Sequence, residues 1–379
     1  RRTSVYIGVK RVERRDGQER REEKRFFDMD EKLALIALQR LNGLGRATKK
    51  QLVEEFDTLG PLFAGKARAL FGKDITGKLR AFNGWEDIDR DLMRLERMGV
   101  HVLTIKDEDY PLQLRTIPDA PVVLYKKGML RCGPDTIAVV GSRRASFESR
   151  NIAEKIAQTL SSLGITVISG LARGIDTAAH KGALKEKGKS VGVLGCGIDI
   201  TYPAENRWLF DKMAEEGTIL TEYSPGERPL RHHFPERNRI IAGLSRGVLV
   251  VEASQRSGSL ITARLALEYG REVMAIPGSI FDKGYKGANS LIKQGARLID
   301  GIEDIIAACF PKIEIKRNKQ VDLNDDESYI YSIIGFEKVH VDEVIDKSRM
   351  DTRRVMAILT SLEIKEAIRA IPGGFFLRK

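Results

Sequence analysis

DTIAVVGSRRASFESRNIAEKIAQTLSSLGITVISG, residues 135–170, decides the fold. Ile137–Val140 is continuously apolar, and Ile165–Ile168 is broken only by Thr166. Short Val/Ile runs of this kind, ended by glycine, read as strands buried on both faces, and 147–163 between them reads as a helix. The same alternation continues downstream. Val191–Leu194, Ile219–Leu220, Val248–Val251 and Val273–Ile276 read as further strands, with helical segments at 175–187, 205–216, 236–244 and 259–269. Strand–helix–strand units of about 25–30 residues imply right-handed crossovers and a mostly parallel sheet with helices on both faces, an α/β fold. Val100–Ile105 and Val122–Tyr125, separated by the proline-rich stretch 111–121, read as two earlier strands.

Working outward, residues 1–25 mix charges without apolar periodicity and read as a mobile arm. Residues 26–110 read as a helical domain. Leu33, Ile36, Ala37 and Leu41 keep helical spacing, and LNGLGRATKKQLVEEF resembles a helix-hairpin-helix with its turn at Gly43-Leu44-Gly45 and cations at Arg46, Lys49 and Lys50. Such a turn either faces a phosphate with its N–H groups or simply packs. Residues 111–310 form the α/β domain, 311–324 a linker, and 325–379 a small unit. That unit reads as helices at 327–334, 340–347 and 351–362 and a hairpin around Pro372-Gly373-Gly374, a winged helix–turn–helix pattern.

The 379 residues are 42% hydrophobic, enough for a globular protein of two or three domains. No apolar run approaches a membrane span. The chain starts at Arg1-Arg2 without a following apolar segment, which reads as no signal peptide, although the missing initiator Met leaves the true N-terminus open. Cys132, Cys196 and Cys309 are far apart, and the five histidines form no ligand pattern, so no metal or cofactor is expected and a reducing cytoplasm fits. The net charge of +11 is uneven: +5 over 1–25, −1 over 26–110, +8 over 111–324 and −1 over 325–379. An anionic polymer would be drawn to the central block and the arm.

Between Gly226 and Arg264 stand seven arginines and no lysine: Arg228, Arg231, Arg237, Arg239, Arg246, Arg256 and Arg264. Only arginine offers a planar fork that grips phosphate oxygens in pairs and stacks on rings. Ligands of an open parallel sheet bind beyond the strands' carboxyl ends. Here those ends are Gly141-Ser142, Ser169-Gly170, Gly195-Cys196-Gly197 and Pro277-Gly278-Ser279, small residues whose bare amides suit a phosphate. A dinucleotide fingerprint and a Walker A motif are both missing, so an NAD or ATP enzyme is disfavoured. Asp176 and His180 share a helix face without a placed nucleophile and read as satisfied polar groups. Glu222 and Glu252 at strand ends read equally as acid/base groups or as partners of the arginines. Arg143, then Arg231 and Phe234 in a proline-bounded loop, then Arg237, Asn238 and Arg239 at a helix start, give cations plus one ring, the mixture that holds single-stranded nucleic acid.

IAVVGSRRAS, VISGLARGIDTAAHKGAL, GCGIDITYPAEN and the run from EYSPGERPLRHHFPERNRIIAG to VMAIPGS, spread over about residues 100–305, resemble the DNA-processing protein A family (DprA, also called Smf). The resemblance implies an extended Rossmann-like sheet, an N-terminal helical (SAM-like) domain and a C-terminal winged helix. It implies a protein without catalytic residues that binds single-stranded DNA during natural transformation and loads the recombinase RecA onto it. The strand contacts it implies are Gly141, Ser142, Arg143, Arg231 and Phe234. The candidate set is completed by Gly170, Arg173, Arg237, Asn238, Arg239 and Arg256. Arg231 stands where relatives often carry Lys, and Ala204 where some carry a lysine in the Y-P-x-x-N turn, with Arg207 nearby as the substitute. Family members dimerise through the Rossmann-like domain, and Leu291, Ile292 and Leu298 are the candidate contacts. For the winged helix a protein-contact role is favoured over duplex binding, given its charge of −1. The competing functions are a nucleotide-processing hydrolase on the same framework and a duplex-DNA regulator led by the winged helix.

Overall fold

The computed structural model describes residues 29–66, 68–128, 133–185, 189–313, 323–335, 338–365 and 367–378. The expected arm at 1–25 and most of the expected linker lie outside them. The chain divides into two compact units, Arg1–Ile313 and Glu314–Lys379.

The described residues of the first unit begin with helices α1 (Glu31–Arg40), α2 (Arg46–Glu55), α3 (Arg68–Arg80) and α4 (Trp85–Arg97). The Asp30 side chain caps α1 by accepting the Lys32 N–H at 2.9 Å, satisfying one of the donors a helix start leaves open. α1 buries Ala34 through Leu38 without a break. These residues join Leu52, Leu95, Leu124 and Tyr125 in one core, so the helices and the sheet share their hydrophobic interior. The hairpin at Gly43–Gly45 is a packing element and its cations are spent within the fold. Lys49 is buried and donates to the Gln39 carbonyl at 2.6 Å, Lys50 donates to the Ile117 carbonyl at 3.0 Å, and Arg46 pairs with Glu222 and Glu236. Burial beside Arg46 pushes the Lys49 ammonium down to about 8.

The rest of the unit is the sheet and its helices. In chain order these are β1 (Val100–Thr104), α5 (Leu112–Arg115), β2 (Val123–Gly128), β3 (Thr136–Val140), α6 (Phe147–Ser162), β4 (Thr166–Ser169), α7 (Ile175–Lys185), β5 (Ser190–Val193), α8 (Arg207–Glu216) and β6 (Thr218–Thr221). They are followed by α9 (His233–Leu244), β7 (Gly247–Val250), α10 (Ser259–Glu268), β8 (Glu272–Ala275), α11 (Lys286–Lys293), β9 (Arg297–Leu298) and α12 (Ile302–Cys309). The sheet order is β1-β2-β6-β5-β4-β3-β7-β8-β9. β1/β2 and β2/β6 are antiparallel and every other pair is parallel. From β3 the chain builds toward β6, then returns to lay β7 on the other side of β3. That reversal parts the connections leaving β3 and β7 and opens a crevice at their carboxyl ends. β3 to β7 are buried throughout, as continuous Val/Ile runs require.

α9 begins three residues earlier than its periodicity suggests. Pro235 falls in its first turn, where the missing N–H loses no hydrogen bond. Phe234 is therefore a helical residue and not part of an irregular loop.

The second unit contains α13 (Asp325–Ile333), β10 (Val339–His340), α14 (Val341–Ser348), α15 (Thr352–Ile364), β11 (Ile368–Ile371) and β12 (Phe375–Arg378). Its antiparallel sheet runs β10-β12-β11 over a core of Ile330, Val344, Val355, Leu359 and Leu362, a winged helix. Asn324 and Glu327 form a reciprocal capping box at the start of α13. Among the described residues, no helix is long and apolar enough to cross a membrane.

Candidate nucleic-acid interface

A cleft of about 800 Å³ opens at the β3/β7 switch point. The turn after β3 supplies Gly141, Ser142, Arg143 and Arg144, and the segment after β7 supplies Glu252, Ser254, Ser257 and Gly258. Tyr202, Arg231, Lys283 and the first turns of α9 close the sides. On α9 the residues that reach the cleft are Phe234, Pro235, Arg237, Asn238 and Ile241, one face at three- and four-residue spacing.

Phe234 is the centre of the apolar wall. It is partly exposed, and its ring lies so close over Gly195 that a Cβ there would stand 3.0 Å from Cδ1. The Tyr202 ring packs at 5.4 Å between centroids, tilted by 36°. The Arg143 guanidinium carbon rests 5.1 Å from the Phe234 ring centroid. A cation and two ring faces thus meet at one point of the cleft, an arrangement suited to one phosphate and one base. Arg143, Arg144, Arg231 and Lys283 are all exposed, and among the described residues none is in an ion pair.

The predicted contacts separate into groups. Gly141, Ser142, Arg143, Arg231, Phe234, Arg237 and Asn238 line the one cleft. Arg237, however, is 3% exposed and spends its guanidinium on the carbonyls of Gly170 and Val193, so it supports the floor and does not reach for a phosphate. Arg239 points away from the cleft. It is buried against Glu222, donates to the Asp119 carbonyl at 2.6 Å and lies near the Asp119 carboxylate. Gly170 and Arg173 lie off the cleft lining, and Arg173 pairs with Glu205. Arg207 sits in an i,i+4 pair with Asp211. Arg256 is exposed on the loop between the lining residues Ser254 and Ser257 without lining the cleft itself. Of the other arginines in the run, Arg246 binds Asp135 and the Pro134 carbonyl before β7, at the opposite end of that strand, and Arg264 pairs with Glu268.

Four of the bare amides expected along the rim are spent internally. The Ser142 N–H donates to the Glu252 carbonyl at 2.7 Å, Gly170 N–H to the Asp176 carboxylate at 3.1 Å, Gly197 N–H to the Glu227 carbonyl at 2.8 Å and Gly278 N–H to Asn289 Oδ1 at 3.1 Å. At those four positions the amides are not open to a ligand, and the cleft presents side-chain charge and ring surface. Arg144, Tyr202 and Lys283 join the cleft without being among the sequence candidates. Arg144 is the next residue after Arg143, and Tyr202 belongs to the TYPAEN turn, so both lie within reach of motif reading; Lys283 comes from the β8–α11 loop, which only the topology brings round.

The buried titratable groups near the floor are held by structural bonds. Asp176 accepts the N–H groups of Gly170 and Ala172; burial raises its carboxyl, opposed by the Arg237 charge. His180 does not meet Asp176 as a catalytic pair would; its Nδ1 lies 2.8 Å from Ser190 Oγ. Burial, with Arg237 adding repulsion, pushes the imidazole down to about 3. Glu252 accepts the Ser146 N–H at 2.8 Å at the start of α6. Glu222 is a partner of Arg239 and Arg46. Burial pushes the Cys196 thiol up to about 12, far from thiolate chemistry.

Comparison with known proteins follows the same outline. The family model described as DNA recombination-mediator protein A matches residues 101–310, and the DprA winged helix domain model matches residues 316–374. The DNA processing protein DprA of Streptococcus pneumoniae is 49% identical over 205 residues, covering 54% of this chain and 72% of that protein. Protein Smf of Escherichia coli is 38% identical over 301 residues, 76% of this chain and 80% of its own. The X-ray structure of the S. pneumoniae protein superposes with a TM-score of 0.63 at 38% identity, covering 75% of this chain and 98% of that one. A structure of DNA processing protein A from Helicobacter pylori, described for its single-stranded DNA binding mode, superposes with a TM-score of 0.52 at 28% identity over 57% of this chain and 97% of its own. The chain, with its switch-point cleft and its winged helix, belongs to the DNA recombination-mediator protein A family.

Proposed function

We propose that this protein binds single-stranded DNA in the β3/β7 cleft and delivers the strand to a RecA-type recombinase, with no bond made or broken. One observation carries the reading: Arg143, Arg144, Arg231 and Lys283, out of ion pairs among the described residues, surround the partly exposed Phe234 and Tyr202 rings. Guanidinium forks hold the sugar–phosphate chain, and the rings take a base by stacking, which tolerates any sequence. The H. pylori relative, described for single-stranded DNA binding, supports the choice of ligand. Asp176 and Glu252, the carboxylates at the cleft, are already committed to backbone N–H groups, which favours binding over hydrolysis.

Self-association fits the β9 edge. Leu298 is 45% exposed on that terminal strand, while Leu291 and Ile292 pack partly on the core behind it. In this reading two copies pair there and present two clefts to one strand. The winged helix serves as a protein-contact element: α15 turns Met356 and Ile364 to solvent, and Arg354 is paired with Asp326.

The test is titration of a labelled single-stranded oligonucleotide across salt with Arg143→Ala, Arg231→Ala and, as a control at the opposite end of β7, Arg246→Ala. Each of the first two lowers affinity about tenfold and reduces the salt slope by about 0.7, the value for one phosphate of a single strand. Arg246→Ala leaves both unchanged. Wild-type affinity and slope in the two cleft variants would refute the assignment.

A further inference from the structure

We infer that Phe281, on the turn between β8 and α11, is a second base-stacking platform that takes a nucleotide of the strand as it leaves the cleft. The inference rests on the single-strand reading above. Phe281 is 89% exposed and its neighbour Ile280 77%, the two most exposed large apolar side chains among the described residues of the first unit. An isolated surface hydrophobe needs no explanation, but two adjacent ones on a rigid turn do.

The turn is firmly built. Phe281 N–H donates to Ser279 Oγ at 3.3 Å and Asp282 N–H to the Ser279 carbonyl at 3.1 Å. Asp282 Oδ1 accepts Gly284 N–H at 2.7 Å. The base of the turn is clamped by Asn289, which exchanges two hydrogen bonds with Gly278, and by Tyr285, whose hydroxyl lies 2.6 Å from Ser149 Oγ. The sequence thus holds a phenylalanine out in water on an ordered frame, so little is lost in ordering it when a planar ligand arrives.

Charge and position identify that ligand. Lys283, two residues on, lines the cleft with Gly284, so the turn is continuous with the cationic wall. Lys286, also exposed, opens α11 one turn further. An exposed ring with lysines two and five residues after it offers the same two kinds of group as Phe234 beside Arg143, a cation for the phosphate and a face for the base. A strand anchored at Phe234 and drawn past Lys283 would meet Phe281 next. Ile280 beside it gives a sugar an apolar contact.

The test is oligonucleotide binding by the full chain with Phe281→Ala, Phe281→Leu and Phe281→Trp, using oligonucleotides of about 6 and about 20 nucleotides. Expected for Phe281→Ala and Phe281→Leu is a loss of about 5- to 50-fold on the longer oligonucleotide, with the salt slope unchanged because no charge is removed. On the shorter one, confined to the cleft, the loss is small. Phe281→Trp restores the longer oligonucleotide's affinity, which a merely apolar or structural role does not predict.

Wild-type affinity in Phe281→Ala on both lengths, while Arg143→Ala still weakens binding, overturns the platform and leaves the cleft intact. Wild-type affinity in Arg143→Ala and Arg231→Ala removes the cleft reading and this inference together. Sedimentation of the DNA-free protein covers the remaining case. If Phe281→Ala dissociates self-associated protein and loses affinity only in proportion, the turn is a contact between copies and the inference fails.

Discussion

At the scale of single residues, the arginines differ by what already holds them. Arg231 and Arg143 are exposed and out of ion pairs among the described residues, whereas Arg237 and Arg239 are 3% exposed and bound to carbonyls or carboxylates. Alanine at Arg231 therefore leaves thermal stability nearly unchanged while weakening oligonucleotide binding. Removal of the buried Arg239 leaves the buried Glu222 carboxylate with Arg46 alone and costs up to about 3–5 kcal/mol of stability, read by urea denaturation. The buried His180 makes a pH prediction. Its folded pKa, about 3, lies below the ordinary value of 6.5. The unfolded chain thus binds the proton first, and the stability this neutral imidazole contributes is present above about pH 6.5 and lost as pH falls toward 3, at up to about 1.4 kcal/mol per unit. Denaturant midpoints at pH 5, 6 and 7 should fall more steeply for the wild type than for His180→Gln. Parallel curves would contradict the assignment. None of this partition is legible in the sequence, because arginine-rich spacing says how many forks exist and not which carboxylate or carbonyl each one meets.

At the scale of elements, the cleft depends on how closely the turn after β3 approaches the start of α7. Gly174 has φ +74°, and a Cβ there would stand 2.2 Å from the Ser142 carbonyl oxygen. Gly174→Ala must then shift the turn that carries Arg143. The expected cost is about 1–3 kcal/mol of stability, together with reduced oligonucleotide affinity although no charge is removed. Full affinity with reduced stability would show that the Arg143 turn is independent of α7. The elements themselves are largely readable, since Val/Ile runs separated by helical segments have few other solutions. The start of α9 is the informative difference. Periodicity begins that helix at Glu236 and makes the proline before it the end of a loop, yet Pro235 occupies the first helical turn. The earlier start aims Phe234 and Asn238 into the cleft while turning Arg239 inward. The amides at the strand ends depart from expectation for a related reason: small residues permit a ligand's approach, but the N–H groups of Ser142, Gly170, Gly197 and Gly278 have partners within the fold.

At the scale of the whole molecule, charge and sheet edge bear on the same part of the proposal, how one cleft would hold a long flexible polyanion. On the proposed reading the +8 of residues 111–324 would draw a strand in, but screening confines that pull to about 8–10 Å at physiological salt, so contact far beyond the cleft and its rim would need a second copy's cleft. Two copies joined at β9 would supply it, and the second cleft's binding becomes intramolecular, raising avidity without any new contact. Leu298→Arg places a charge on that edge strand, where Leu298 is 45% exposed and its removal takes little from the core. The variant should fold with a wild-type melting temperature and sediment as a monomer. Its affinity for a strand long enough to span both clefts should fall by about 10²-fold or more, while its affinity for an oligonucleotide filling a single cleft stays within about twofold of the wild type. A monomer that keeps full affinity for long strands would separate self-association from DNA holding and leave the cleft to act alone.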